Sequence, residues 1–384
     1  MAKNKTVDEV QMQDDLASVL ADNLNKKFKS SNYKVAYFLD GDTDAPSEVT
    51  EWISTGSTML DLAISNRPNG GLPVGRIIEI TGLEASGKSL LAAHALADTQ
   101  RKGGLAVYID TDNAISREFL EAIGVNLKDM LYVPLETIED IFDAMDSVVE
   151  SVRKSSKSRI VTIVVDSVAG ASTKQEMAAD YDKDGWATSK AIILSKAMRK
   201  ITNFVGRERI CLIFTNQLRT RLGVSFGDQW TTSGGKAIAF HSSVRLRLKS
   251  VGQIKLKIEG KEEVMGITTR AQVVKNRMGP PLRSVDYDIY FDSGIDDYGS
   301  WLTMLKNYNL VSQAGAWYTY TNTDTGEVVK FQSKDFKSKL IDDPEMRDQV
   351  YRTICEKYIL NYKAGDDFGI DDIKVETEFE GEES

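Results

Sequence analysis

The run Gly82-Leu-Glu-Ala-Ser-Gly87-Lys88-Ser89 constrains the chain more than any other, because its spacing works only between a strand and a helix. It fits G-x-x-x-x-G-K-[ST], and the apolar run Arg76-Ile-Ile-Glu-Ile-Thr81 just before it reads as the strand. Glycines 82 and 87 let backbone N–H groups close around an anionic phosphate, and the following helix adds its positive N-terminal end. Glu84, Ala85 and Ser86 form the body of this loop. The pattern assigns Lys88 to the β- and γ-phosphates and the Ser89 hydroxyl to Mg²⁺. A chance Gly-rich turn would need neither the flanking elements nor the Lys-Ser pair. The loop therefore implies a nucleoside triphosphate.

From residue 76 to about 250, strand patterns alternate with helical ones. Strands are expected at 76–81, 105–110, 160–165, 210–215 and 244–249. Several are almost wholly apolar, as strands covered on both faces are. The alternation argues for a mostly parallel α/β sheet with right-handed crossovers, whose ligands lie beyond the carboxyl ends of the strands. Three polar residues fall at such ends. Asp166 closes strand 160–165, where an acid can hold Mg²⁺ through water. Asp112 follows strand 105–110 and can orient an attacking water, or alternatively cap a helix. Gln217 follows strand 210–215, where its amide can donate to a γ-phosphate.

The segment from Arg219 to Lys236 is long, Gly-rich and aperiodic, and it mixes Arg219 and Arg221 with Phe226 and Trp230. Cations interleaved with stackable rings are what single-strand binding surfaces use; a plain flexible loop is the alternative. A second irregular stretch, 174–186, ends in Trp186, a ring that either packs locally or inserts between bases. Lys275-Asn-Arg277, beyond the strand-like Ala271–Val274, reads either as surface charge or as cationic fingers for a phosphate on an adjacent subunit.

The net charge of −9 hides an asymmetry. Between Arg199 and Ile258 there are twelve Lys/Arg, including Lys236 and Arg245, against two acids, whereas the last twenty residues hold nine acids and one Lys. A polyanion-binding middle and a competing acidic tail fit this pattern; so do a solvated face and a solubilising tail. Cys211 and Cys355 offer no disulfide framework, no apolar run reaches membrane-span length, and the start lacks a secretory signal, so a cytoplasmic protein is expected. Residues 7–28 read as an amphipathic helix with Leu16, Val19, Leu20, Leu24 and Phe28 on one face. That stripe needs either the chain's own core or a neighbouring copy. After about residue 296 the pattern turns mainly helical, with a small β-like element near Trp317–Tyr320.

Taken together these residues resemble the RecA recombinase family, including its phage UvsX-like relatives. The likeness rests on Ile53-Ser-Thr-Gly-Ser57, Gly71-Leu-Pro-Val-Gly-Arg-Ile-Ile-Glu-Ile80, the phosphate loop, Val164-Val-Asp-Ser-Val168 and Ala197-Met-Arg-Lys200. It continues through Asn216-Gln217, Thr232-Ser-Gly-Gly235, Ser243-Val-Arg-Leu246, Val274-Lys-Asn-Arg277 and Ala314-Gly-Ala-Trp-Tyr318. The resemblance implies an α/β fold: a RecA-like P-loop ATPase core with a central, mostly parallel sheet, an N-terminal docking helix and a small α+β C-terminal domain. The implied bounds are 1–47 for the helix and linker, 48–292 for the core, 293–365 for the small domain and 366–384 for the acidic tail.

The resemblance also implies ATP and Mg²⁺ as ligands, DNA-dependent hydrolysis, and helical filaments that pair single-stranded DNA with homologous duplex. Single-strand-binding and mediator proteins are candidate partners, in a bacterial cytoplasm or that of a phage-infected host. By position, Asp112 stands at the catalytic carboxylate, Gln217 at the γ-phosphate sensor and Phe119 at the adenine-stacking ring. Lys275 and Arg277 stand at the cations that reach ATP across the interface. The loops around 178–188 and 218–233 match the two DNA-binding loops, which gives Trp186, Arg219, Arg221, Phe226 and Trp230 as expected DNA contacts, with Arg199, Lys236 and Arg245 of the basic middle beside them. Asp112 replaces the usual Glu and is one methylene shorter; Arg277 stands where bacterial members tend to have Lys. A hexameric helicase built on the same core, or an ATP-gated DNA-coating protein with weak hydrolysis, are the alternatives.

Overall fold

The computed structural model describes residues 7–28, 34–38, 45, 47–113, 115–156, 158–179, 187–220, 230–258 and 261–361. In chain order, α1 (Val7–Lys27) precedes β1 (Trp52–Ile53), α2 (Thr58–Ser65) and β2 (Leu72–Pro73). Next come β3 (Arg76–Gly82), α3 (Lys88–Arg101), β4 (Leu105–Asp110), α4 (Arg117–Ala122), β5 (Met130–Pro134) and α5 (Ile138–Ser155). They are followed by β6 (Val161–Asp166), α6 (Lys174–Met177), α7 (Ala187–Arg207), β7 (Ile210–Thr220), β8 (Trp230–Thr232) and α8 (Ala237–His241). Then come β9 (Val244–Ile258), β10 (Lys261–Asn276), β11 (Ser284–Tyr290), β12 (Gly294–Asp296) and α9 (Asp297–Asn307). The described chain closes with β13 (Val311–Ala314), β14 (Trp317–Thr321), β15 (Val328–Gln332) and α10 (Pro344–Tyr358).

One large sheet dominates, in the order β12-β11-β10-β9-β3-β7-β6-β4-β5, with β8 paired to β7. The strands from β9 to β5 are mutually parallel, and β10, β11 and β12 extend the sheet antiparallel. Period-two alternation sends Ile77, Ile163, Val165, Leu212 and Phe214 to one face, where they meet Met145, Leu194 and Met198 of α5 and α7. Ile78, Ile80, Val164, Leu246 and Leu248 point to the other face, onto Leu91 and Leu96 of α3. Helix α5 shows why such segments are helical and not merely apolar. Ile138, Ile141, Met145 and Val149 recur at spacings of three and four and are its buried stripe, and Thr137 caps its first turn.

The five expected core strands are present, but two of them, and the strand-like Ala271–Val274, belong to longer strands than their apolar patterns. β7 continues to Thr220, β9 to Ile258, and Ala271–Val274 is the end of a sixteen-residue β10. Strand β5 went unseen in the sequence. After β12, the single β-like element is a three-stranded antiparallel sheet, β13-β14-β15, whose Tyr318, Tyr320 and Phe331 pack with α9 and α10. Cys211 and Cys355 are free and buried, as small hydrophobes. Among the described residues, no helix is long and apolar enough to cross a membrane.

Candidate nucleotide site at the strand ends

Strand register decides which residues can meet. Gly82 of β3 lies beside Gln217 of β7, and Asp110 of β4 beside Asp166 of β6, while Val165 and Phe214 link β6 to β7. The loop after β3 is therefore surrounded by the residues singled out at the other strand ends. Ala85 and Gly87 take φ values of 54° and 89°. A Cβ on Gly82 would sit 2.3 Å from Ser86 Oγ and 2.8 Å from the Leu248 carbonyl, so only glycine fits there. Gly87 caps α3 without a side-chain hydrogen bond, which leaves the first N–H groups of that helix for an anion.

Lys88 folds its ammonium back onto the loop and donates to the Leu83 carbonyl at 2.6 Å. Burial lowers its pKa against the pull of Asp166 and Glu84. A partly desolvated cation with one carbonyl partner is ready to exchange it for phosphate oxygens. Across the loop, Gln217 Nε2 donates to Glu84 Oε1 at 2.9 Å, tying the loop to the end of β7. Asp112 is exposed; its backbone N–H donates to Asp110 Oδ1 at 3.1 Å. Ser116, not Asp112, caps α4, so the capping alternative falls away. Partial desolvation first, then the charges of Asp166 and Asp110, push the Asp112 pKa up. Phe119 is half-buried and packs beside Ala93, Ala97 and Leu120 near the start of α4.

The stretch beyond Gln217 begins as a ribbon. Leu218, Arg219 and Thr220 pair with Thr232, Thr231 and Trp230. Arg219 and Lys236 are exposed, Trp230 is half-buried, and Arg199 lies exposed on α7, where it donates to Ser195 Oγ at 2.8 Å. Trp186, Arg221 and Phe226 lie outside the described residues.

Arg245 has an acidic partner inside the sheet. Its Nε sits 2.6 Å from Glu79 Oε2, a carboxylate with no exposed surface that also accepts from Asn216 Nδ2 at 3.1 Å. Its first task is to neutralise a buried acid. Arg245→Met should therefore cost about 3–5 kcal/mol of stability by denaturant unfolding, since Glu79 would be left buried and unpaired. A cost under about 1 kcal/mol would return Arg245 to the surface cations.

Lys275 and Arg277 stand at the opposite edge. Asn276 pairs with Val244, which pairs with Ile78, so they lie about 13 Å along the strands from Gly82. Neither cation can serve the loop of its own chain. Lys275 Nζ donates to the Ala239 and Phe240 carbonyls at the end of α8, at 2.9 and 2.8 Å. Burial, then Arg277 and Arg245, lower its pKa to about 8. Arg277 is exposed and lines a cavity of about 690 Å³ together with Arg76, Arg207 and His241. Phe240 beside Lys275 is 70% exposed, a ring left uncovered next to buried Ile238. Sequence reading passed over it, although an aromatic in a short, basic-flanked segment was the available signal.

Two further surfaces lack a partner within the described residues. The α1 stripe is open: Leu16 is 58% and Phe28 44% exposed, with Val19, Leu20 and Leu24 between. Edge strand β5 exposes Leu131 and Tyr132. Asn25 ties residues 34–38 to α1: its Oδ1 accepts from the Val35 and Ala36 N–H groups at 2.8 and 2.9 Å.

A family model, the RecA N-terminal domain, matches residues 20–296. The chain is 37% identical over 324 residues to protein RecA of Paracoccus denitrificans, covering 84% of this chain and 86% of that relative. It is 38% identical over 309 residues to protein RecA of Gluconobacter oxydans, covering 80% and 84%. Protein RecA of Rickettsia conorii is 35% identical over 307 residues, again covering 80% and 84%.

Proposed function

The chain belongs to the RecA family, and from that premise we propose that it is an ATP-dependent recombination protein. It polymerises on single-stranded DNA, pairs that strand with homologous duplex, and hydrolyses ATP as the polymer turns over. One observation carries the coupling. Gln217 lies beside the phosphate loop, and the same strand runs on into the ribbon that bears Arg219 and Trp230. A triphosphate at the loop competes with Glu84 for the Gln217 amide and repels the Glu84 carboxylate. Nucleotide occupancy is thereby felt at the start of the DNA-facing segment.

In this reading Lys88 and the open N-terminus of α3 bind phosphates, and Phe119 lies near the base. Asp112 orients the attacking water, with a reach one methylene shorter than Glu. Ser89 and Asp166 offer the hard oxygen ligands that Mg²⁺ takes, and the ion supplies charge neutralisation on the phosphates. Arg199, Arg219, Trp230 and Lys236 face DNA. Lys275 and Arg277 complete the ATP site of an adjacent copy, because their distance from Gly82 prevents them from completing their own. Residues 1–47 then dock subunits, 48–292 form the working core, 293–365 the small domain and 366–384 an acidic tail.

The exposed α1 stripe supports docking on a neighbour, with the strand edge of β5 as the receiving surface. Leu20→Asp combined with Leu24→Asp should shift the protein to monomers in sedimentation, with the melting temperature changed by less than about 2 °C. Unchanged polymer size would remove α1 from the interface. The function itself is tested by strand exchange between homologous DNAs. Joint molecules should form with ATP and Mg²⁺ and be absent without them. DNA-stimulated hydrolysis with no exchange would count against recombination.

A further inference from the structure

Asp166 is held more tightly than a strand-end acid needs to be. In the β4–β6 register Tyr108 pairs with Val164 and Asp110 with Asp166, so all four side chains share one face of the sheet. Tyr108 and Asp166 are diagonal neighbours, within reach of an aromatic side chain. The Tyr108 hydroxyl donates to Asp166 Oδ2 at 2.5 Å, and the Thr215 hydroxyl donates to Oδ1. Tyr108 is 1% exposed, so its ring is fixed in the core and its hydroxyl is aimed at the carboxylate. Asp110, directly opposite Asp166, takes a different phenol: Tyr132 donates to its Oδ2 at 3.1 Å. Two adjacent carboxylates that repel each other each have their own hydroxyl.

We propose that Tyr108 is a positioning residue: with Thr215, it locks the Asp166 carboxylate in the orientation that receives the metal–nucleotide complex. The proposal rests on the reading of Asp166 as the acid facing Mg²⁺. Each carboxylate oxygen has about two acceptor directions, and the hydroxyls use one on each, leaving the outward ones for a hydrated cation. Neutral donors also leave the negative charge intact. The competing partner is Lys88, the cation of the adjoining loop. Without the phenol, the carboxylate would turn toward that ammonium, and each would neutralise the group the other needs for the ligand.

The test uses the full chain and binding of a fluorescent ATP analogue titrated with Mg²⁺, beside the same binding in EDTA. Tyr108→Phe keeps the buried ring and removes only the hydroxyl, and its fold is checked by circular dichroism and melting temperature. It should raise the Mg²⁺ requirement on the order of tenfold, as loss of a partner behind a metal ligand does, and leave binding in EDTA unchanged. Asp166→Asn should raise the requirement at least as much, and adding Tyr108→Phe to it should change little more. A normal requirement in Tyr108→Phe with a raised one in Asp166→Asn overturns the role of Tyr108 and leaves that of Asp166 standing. A normal requirement in Asp166→Asn overturns the reading of Asp166 itself. Equal weakening of Tyr108→Phe with and without Mg²⁺, or a full additive effect in the double variant, makes the tyrosine merely structural.

Discussion

Lys88→Ala should lower DNA-stimulated ATP hydrolysis by about 10²–10³-fold or more while leaving the fold intact. Its ammonium donates to the Leu83 carbonyl, so truncation removes that local hydrogen bond, and alanine suits the first turn of α3. The loss falls on the ligand. A partly desolvated cation on the loop suits the proposed contact with β- and γ-phosphates. In the unaltered chain, Mg²⁺ and a non-hydrolysable ATP analogue at a hundred times Kd should add about 2.7 kcal/mol of apparent stability, and the variant should lose most of that. Hydrolysis within tenfold of the parent would mean that the loop binds triphosphate without this lysine.

Lys275→Ala should be as damaging to ATP-dependent assembly, on the order of 10²-fold in the protein concentration required, and should leave the single subunit folded. Removing the ammonium relieves its repulsion with Arg277 and Arg245 and frees two carbonyls at the exposed end of α8. These opposing effects nearly cancel in the monomer. The pH profile gives a second readout. With a pKa near 8 in place of 10.5, Lys275 is charged below pH 8 and neutral above it, so assembly should weaken from pH 7 to pH 9. The same shift acts oppositely on the isolated subunit. Between pH 8 and 10.5 the unfolded chain holds the proton and the folded chain does not, so this group makes folding more favourable as pH rises. Lys275→Arg should flatten the assembly profile, because a guanidinium keeps its charge throughout. Light scattering at fixed ionic strength follows assembly, and denaturant unfolding follows the subunit.

The parts legible in the sequence were those set by short-range rules. The glycines and Lys-Ser pair of the loop, the apolar run ending in Asp166, and the α1 stripe each carry their own periodicity or spacing. What was hidden depends on register and facing partners. Arg245 read as one cation in a basic stretch; only the pairing of β3 with β9 opposes it to Glu79. Tyr108 and Thr215 read as ordinary strand residues, and their claim on Asp166 appears once β4, β6 and β7 are aligned. Strand β5 is only five residues long, half-exposed and closed by proline, so its brief apolar run Met130–Val133 did not announce it. The ribbon from Leu218 to Thr232 escaped notice because its two arms are separated by residues without pattern.

The central claim is that one copy's loop and another copy's cations form a single ATP site, and mixing two inactive variants tests it directly. Lys88→Ala lacks the loop cation and Lys275→Ala lacks the finger, so neither should hydrolyse ATP alone. In an equal mixture, each Lys275→Ala loop that faces a Lys88→Ala neighbour has both cations. With random head-to-tail assembly on single-stranded DNA, about a quarter of the interfaces are complete, and hydrolysis should recover toward that fraction of the parent rate. A mixture that co-assembles on DNA yet stays as inactive as its components would contradict a shared site.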